Sequence, residues 1–209
     1  MGIRELFGFN GGVKPASHKT ESSATPLVAV PLPKLLMVPL RQNAGLGSSP
    51  LVQAGDKVLK GQMIAAAAGA ISVAVHAPTS GTVKAVESRP VPHPSGLNAA
   101  CVVIESDGED RWIELRPADP YALPVAELRS RLRDAGVVGL GGAAFPSYVK
   151  TQSGNAQHID TLILNGAECE PYITCDDLLM RTRAEEIIDG ALILAHIAGA
   201  KHVLVGIED

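Results

Sequence analysis

The apolar pattern changes period partway along the chain, and that change limits the fold more than any single motif does. Between residues 35 and 105 the sequence offers short β runs separated by Gly and Pro. They are Leu36-Met37-Val38-Pro39-Leu40, Val52, Val58, Ile64, Ile71-Ser72-Val73-Ala74-Val75, Gly81-Thr82-Val83-Lys84-Ala85-Val86 and Cys101-Val102-Val103-Ile104. Such spacing predicts a compact barrel or sandwich. From Pro124 the pattern is helical: Val125, Leu128, Leu132 and Ala135 recur at helical spacing, Arg129, Arg131 and Arg133 are expected on a solvated face, and Gly136 is a stop. A chain of 209 residues, 46% hydrophobic, can build one large or two small cores, and two halves this different favour two.

Residues 1–31, rich in Gly, Ser, Pro and Lys, read as an irregular arm. Residues 32–116 read as the β-rich domain, 117–124 as a linker, and 125–209 as the first half of an α/β domain. In the last segment a short helix to about Lys150 is expected, then a polar turn at Ser153-Gly154-Asn155, then a buried strand from His158 to Asn165 with Leu162-Ile163-Leu164 fully apolar. Thr174 or Asp176 can cap a long helix with Ile187, Ile188, Ala191, Leu192, Leu194, Ala195 and Ala198 as its buried stripe and Gly199 at its end. His202-Val203-Leu204-Val205-Gly206-Ile207 follows as a strand. This strand–helix–strand order predicts a parallel sheet with a right-handed crossover. A sheet that ends two residues after such a strand reads as a truncated part of a longer protein.

Composition excludes several functions. Only 3% of residues are aromatic, so the core must come from Val, Ile, Leu and Ala, and little is left for a base-stacking platform. A net charge of −4 without a basic tract argues against nucleic acid as a partner. Cys101, Cys169 and Cys175 lack disulfide-framework spacing, which suits a reducing compartment, and they cannot ligate an iron–sulfur cluster, so no metal site is expected. Cys169 can face a cofactor or, more ordinarily, fill a buried position. The first nine residues lack a signal-peptide core, and the apolar stretch from Met63 to Val75, broken by Gly69 and Ser72, is too short to span a bilayer. His76, His93, His158, His196 and His202 have no paired nucleophile and are expected to be structural or exposed; no catalytic acid or base is assigned. His18 and Lys19 can touch an anionic ligand or stand solvated in the arm.

Two segments carry chemistry. Gly139-Leu140-Gly141-Gly142-Ala143-Ala144-Phe145-Pro146 opens a short helix. Its glycines allow a sharp turn with exposed N–H groups, the helix near Pro146 adds a positive end, and Lys150 can add a charge, so a phosphate can sit there. A plain turn with packing glycines would read the same from this segment alone. The second segment, Asn165-Gly166-Ala167-Glu168-Cys169-Glu170-Pro171, follows the apolar strand.

Together the two segments resemble the flavin-binding region of the NADH-oxidising subunit of respiratory complex I, from which the chain departs at Leu140, Tyr148 and Ala167, commonly Arg, Gly and Asp there. Further motifs narrow the resemblance: Phe9-Asn10-Gly11-Gly12-Val13 with His18-Lys19, Arg89-Pro90-Val91-Pro92-His93-Pro94-Ser95-Gly96, and the extension of the acidic motif through Tyr172-Ile173-Thr174. With these, the chain resembles the C subunit of Rnf-type ferredoxin:NAD oxidoreductase complexes from about residue 7 to its end. Val52-x-x-Gly55-Asp56-x-Val58-x-x-Gly61-Gln62 followed by Ala77-Pro78-Thr79-Ser80-Gly81-Thr82-Val83 resembles the biotinyl/lipoyl-type barrel-sandwich hybrid fold. No lysine lies between Lys60 and Lys84, where a carrier domain needs one, so a swinging-arm carrier is disfavoured and a structural or docking module expected.

The resemblance implies an α+β multidomain chain: the hybrid module, then a truncated α/β (Rossmann-like) FMN-binding domain. It implies FMN lined by Gly139, Gly141, Gly142, Ala143 and Gly166, with Lys150 near the phosphate or ribityl chain and Asn165 bonded to the flavin from the strand's end. Glu168 and Glu170 would lie where NADH approaches. The implied function is electron transport between NAD(H) and ferredoxin in an ion-translocating complex, peripheral on the cytoplasmic side of the inner membrane. The 4Fe-4S clusters would lie in a later region outside this chain, and the partners would be the complex's other subunits. The competing expectation is a non-catalytic docking adaptor with an incomplete flavin site.

Overall fold

A computed structural model describes residues 15–152, 158–168 and 170–207. The Phe9-Asn10-Gly11-Gly12-Val13 motif, the expected turn at Ser153-Gly154-Asn155 and Cys169 lie outside the described residues. The chain forms two compact units, Val30–Leu162 with Ala191–Val203, and Met1–Ala29 with Ile163–Gly190 and Leu204–Asp209.

The first unit is built on short antiparallel strands. These are β1 (Leu35–Pro39), β2 (Ser49–Pro50), β3 (Lys57–Val58), β4 (Met63–Ala66), β5 (Val75–His76), β6 (Gly81–Pro90) and β7 (Asn98–Ser106). One sheet has the order β1-β7-β6-β3 and a second the order β2-β4-β5. Ile104 of the central β7 pairs with Leu36 on one side and Val83 on the other, and the β6–β7 register shifts between Val83 and Ala85. Such a bulge bends and twists a strand. Val38, Leu40, Val58, Ile64, Ala65, Val75, Ala77, Val83, Val102 and Ile104 pack as one core of the aliphatic residues that the composition requires. Only the end of the expected run at 71–75 is strand; the rest forms the loop between β4 and β5.

That loop stands where a carrier domain would present its lysine, and it is docked. The Arg133 guanidinium donates to the carbonyls of Gly69 (2.8 Å) and Ser72 (3.4 Å), and the Tyr148 hydroxyl donates to the Ala70 carbonyl (2.6 Å). Arg133 lies on α2 (Val125–Asp134) and Tyr148 on α3 (Ser147–Lys150). The guanidinium stands 5.7 Å from the centre of the Tyr148 ring. Arg129 donates to the carbonyls of Thr151 (2.8 Å) and Ile197 (3.1 Å). Of the three arginines expected on a solvated face, then, only Arg131 behaves so, paired with Glu127 one turn away. Arg129 and Arg133 are fork-shaped donors to backbone carbonyls, a task that helical spacing does not reveal.

Beyond α3 the elements are β8 (Thr161–Gly166), α4 (Cys175–Thr182), α5 (Ala184–Ala198) and β9 (His202–Ile207). Two helices stand where the apolar period predicts one: the backbone leaves helical geometry at Arg183 (φ −137°, ψ 39°). The strands β8 and β9 form a two-stranded sheet. They run in the same sense, since Asp160 accepts from the N–H groups of Lys201 and His202 while Gly166 lies against the Gly206 carbonyl. Ile163 on β8 is 66% exposed and Leu204 on β9 56%, so β8 is not the buried strand that its apolar run predicts. A two-stranded ribbon leaves a face and two edges uncovered, and apolarity alone cannot bury it. On α5, Ala191, Ala195 and Ala198 are buried as expected, whereas Ile188 and Leu192 are exposed.

Candidate functional site

The residues with expected roles fall in both units: Gly139 to Ala143 with Lys150 in the first, and Asn165 to Glu170 in the second.

The glycine segment closes on itself. Val138 and Pro146 form an antiparallel bridge, Gly139 N–H donates to the Phe145 carbonyl (2.8 Å), and Ala144 N–H donates to the Gly141 carbonyl (3.0 Å). Ala144 turns the chain in left-handed conformation (φ 44°), and its carbonyl accepts from Ala44 N–H (3.3 Å). Among the described residues, the N–H groups of Leu140, Gly141, Gly142 and Ala143 meet no backbone carbonyl. This is an exposed row of donors of the kind that binds anions.

Gly141 and Gly142 have no left-handed φ, and a Cβ added to either would meet no atom within 4 Å. Among the described residues nothing therefore requires glycine at these positions. Close approach of a ligand to the backbone does require it. Gly139 differs, because a Cβ there would collide with the Lys150 ammonium, which folds back against the loop. The helix following the loop is a single turn, Ser147–Lys150, so the positive end expected near Pro146 is weak, and the loop N–H groups and Lys150 are what an anion would meet.

In the second unit, Asn165 is exposed and its Oδ1 accepts from Ala167 N–H (3.2 Å), leaving its amide nitrogen to offer a ligand. Gly166 is glycine for an internal reason: a Cβ would crowd Met180 Sδ at 3.1 Å and the Gly206 carbonyl at 3.2 Å.

Glu168 is 6% exposed and caps α4. Its Oε1 accepts from Asp176 N–H (2.8 Å) and from the Cys175 thiol (3.3 Å), and its Oε2 accepts from Asp177 N–H (3.2 Å). Of the two expected caps, Thr174 makes no side-chain bond to the helix start and Asp176 lies within its first turn. The signal is hard to find in sequence because the capping group lies seven residues before the helix, outside the local window that capping patterns use. Ligand atoms of Glu168, Cys175 and Asp176 lie within 4.8 Å of one another, and the helix N–H groups already occupy both oxygens of Glu168. Glu170 is exposed two residues on.

Burial opposes ionisation of Glu168, but the Asp176 and Asp177 N–H groups, the Cys175 thiol and the Lys19 charge outweigh it and hold the carboxyl below the usual glutamate range. A folded value below the unfolded one means that the cap contributes fully above the ordinary glutamate pKa and is lost as pH falls through the depressed folded value. Glu168→Gln is expected to lower stability at neutral pH by about 1–3 kcal/mol and to flatten that acid limb. Urea midpoints measured across a pH series check both.

Three of the histidines have partners among the described residues: His93 bonds Ser95, His196 meets the edge of Tyr121, and His202 stands 3.9 Å from Asp160. Among the described residues no helix is long and apolar enough to cross a membrane.

The chain is a barrel-sandwich hybrid domain followed by a domain of the FMN-binding class. The family model described as the RnfC barrel sandwich hybrid domain matches residues 7–109, and that of the Nuo51 FMN-binding domain matches residues 132–209. Relatives named as the C subunit of an ion-translocating oxidoreductase complex include proteins of Serratia proteamaculans (48% identical over 205 residues), Pseudomonas aeruginosa (49% over 206) and Rhodobacter capsulatus (48% over 208). Each alignment takes in 98% of this chain. The chain spans 29%, 26% and 40% of those relatives' lengths, respectively. It belongs to the family of C subunits of ion-translocating oxidoreductase complexes and corresponds to the N-terminal part of its members.

Proposed function

We propose that this chain holds FMN at the glycine loop and serves the NADH-oxidising step of a membrane-associated complex that exchanges electrons between NAD(H) and ferredoxin. The observation that carries the reading is the pair Gly141 and Gly142, which no contact among the described residues and no backbone angle requires. The free loop N–H groups and the Lys150 ammonium fit a phosphate, and Gly139, Gly141, Gly142 and Ala143 would line it. Asn165 and Gly166 would approach the flavin from the end of β8, and Glu168 and Glu170 would serve the NADH side. Of the two acids, Glu170 presents an exposed carboxylate to ribose hydroxyls or a carboxamide, while Glu168 fixes the start of α4 behind it. When bound, FMN supplies the conversion of a two-electron hydride into single electrons, and this chain's residues bind, orient and shield.

The 4Fe-4S clusters that would accept those electrons belong, in this reading, to a C-terminal region beyond these residues. The site would be peripheral, on the cytoplasmic side of the inner membrane, beside the complex's other subunits. The same proposal places an arm at 1–31, the hybrid module at 32–116, a linker at 117–124 and the flavin domain from 125.

Fluorescence titration with FMN and with riboflavin tests the reading. FMN should quench saturably and bind at least about tenfold tighter than riboflavin, a difference of about 1.4 kcal/mol carried by the phosphate. Equal affinities would remove the phosphate from the account. Absence of binding to either would favour a docking adaptor, for which the β4–β5 loop held by Arg133 and Tyr148 already supplies a structural role.

A further inference from the structure

Three consecutive arm residues grip the acidic segment at both of its ends. At one end, the Lys19 ammonium donates to the Glu168 carbonyl, and its charge also acts on the Glu168 carboxylate that caps α4. At the other, the Ser17 carbonyl accepts from Tyr172 N–H at 2.8 Å, and the His18 ring stacks on the Tyr172 ring at 4.7 Å with 6° between their planes. Both stacked residues are non-glycine residues in left-handed conformation, His18 at φ 52° and Tyr172 at φ 66°. Strained backbone of this sort persists only where surroundings over-determine it, and it gathers at ligand sites. Here each strained residue is held by the other. His18 is tied further to Glu21, Nδ1 to Oε1 at 2.9 Å, on the helix α1 (Lys19–Ser23) that Lys19 opens.

The two grips sit on Glu168 and Tyr172, and Glu170 lies between them in sequence, its carbonyl accepting from Ile173 N–H (3.4 Å). We infer that His18 and Lys19 are positioning residues for the nicotinamide dinucleotide: the arm sets where Glu170 stands, and so sets affinity for NADH and not for FMN. This rests on the reading of Glu170 as the NADH-side acid. It also gives His18-Lys19 a task that their place in an irregular, Gly- and Ser-rich arm does not suggest. A merely structural arm would affect flavin retention and global stability together. A positioning arm changes the half-saturating NADH concentration alone.

The test uses purified protein loaded with FMN, with flavin reduction by NADH followed in stopped flow. In the His18→Ala/Lys19→Gln protein, half-saturation should rise at least about tenfold while the limiting rate and FMN affinity stay within about twofold, the pattern of lost ground-state binding. His18→Phe with Lys19→Arg, which keeps the stack and the charge, should restore the original value. Amide exchange at Tyr172, Asp176 and Asp177 gives a readout independent of flavin and should quicken in the first variant only. Unchanged half-saturation, unchanged exchange, or FMN loss in parallel with the NADH effect each overturns the inference. Failure of NADH to reduce the flavin of the unmodified protein overturns the reading beneath it as well, and so separates the two failures.

Discussion

Gly142→Trp is expected to lower FMN affinity by at least about 100-fold, or about 2.7 kcal/mol, while leaving the protein folded. The two halves of this result have separate causes. A Cβ at position 142 meets no atom within 4 Å and the backbone there is not left-handed, so the fold has room for a side chain and needs no glycine. An indole at that point occupies the space through which a ligand must reach the loop N–H groups. Thermal unfolding should therefore shift by no more than a surface substitution does, within about 0.5 kcal/mol. Gly166→Ala provides the contrast, because its Cβ would press on Met180 and the Gly206 carbonyl, and it should lose stability first. If Gly142→Trp unfolds the protein, the loop glycines are structural after all and cease to point to a ligand.

The largest loss of stability is expected at Ile104. It is fully buried at the centre of the hybrid module, on a strand paired on both sides, and packs with Ile64, Val83 and Val102. Ile104→Ala removes the apolar contacts and leaves a cavity in a core with no large aromatic to collapse into it, at about 2–5 kcal/mol. Against a typical total of about 5–15 kcal/mol this is a large fraction, and the urea midpoint should fall accordingly. Ile163→Ala, on a strand where that side chain is 66% exposed, should cost less than about 1 kcal/mol. Equal losses at the two positions would contradict the burial that separates them.

Much of the architecture is legible in the sequence because it rests on local rules. The helix α2 follows its apolar period, and Gly136 and Gly199 after α2 and α5 have the left-handed φ of 74° that such stops require. Most of the short β runs are legible as well, although Val52 lies outside the strands and residues 71–74 are loop. What is not legible depends on partners distant in sequence. Arg133 and Tyr148 reach back more than 60 residues to carbonyls of the β4–β5 loop, and no local pattern marks an arginine that leaves its solvated face. In sequence Glu168 is one more acid beside Glu170, and only the fold turns its carboxylate onto α4. The break at Arg183 interrupts a helical pattern that the apolar period carries straight through. For the site, the motifs point to the residues, and the structure adds the distinction between glycines required from within, such as Gly166, and those that are not, Gly141 and Gly142.

The most direct test of the flavin loop is an amide map: isotope-labelled protein titrated with FMN, with backbone N–H signals followed residue by residue. The largest shifts are expected on Leu140, Gly141, Gly142 and Ala143, whose N–H groups have no backbone partner among the described residues, with smaller ones at Asn165 and Gly166. Shifts confined elsewhere, for instance to the apolar groove of about 420 Å³ lined by Leu27, Tyr172, Leu178 and Leu179, or none at saturating FMN, would contradict a flavin site at this loop.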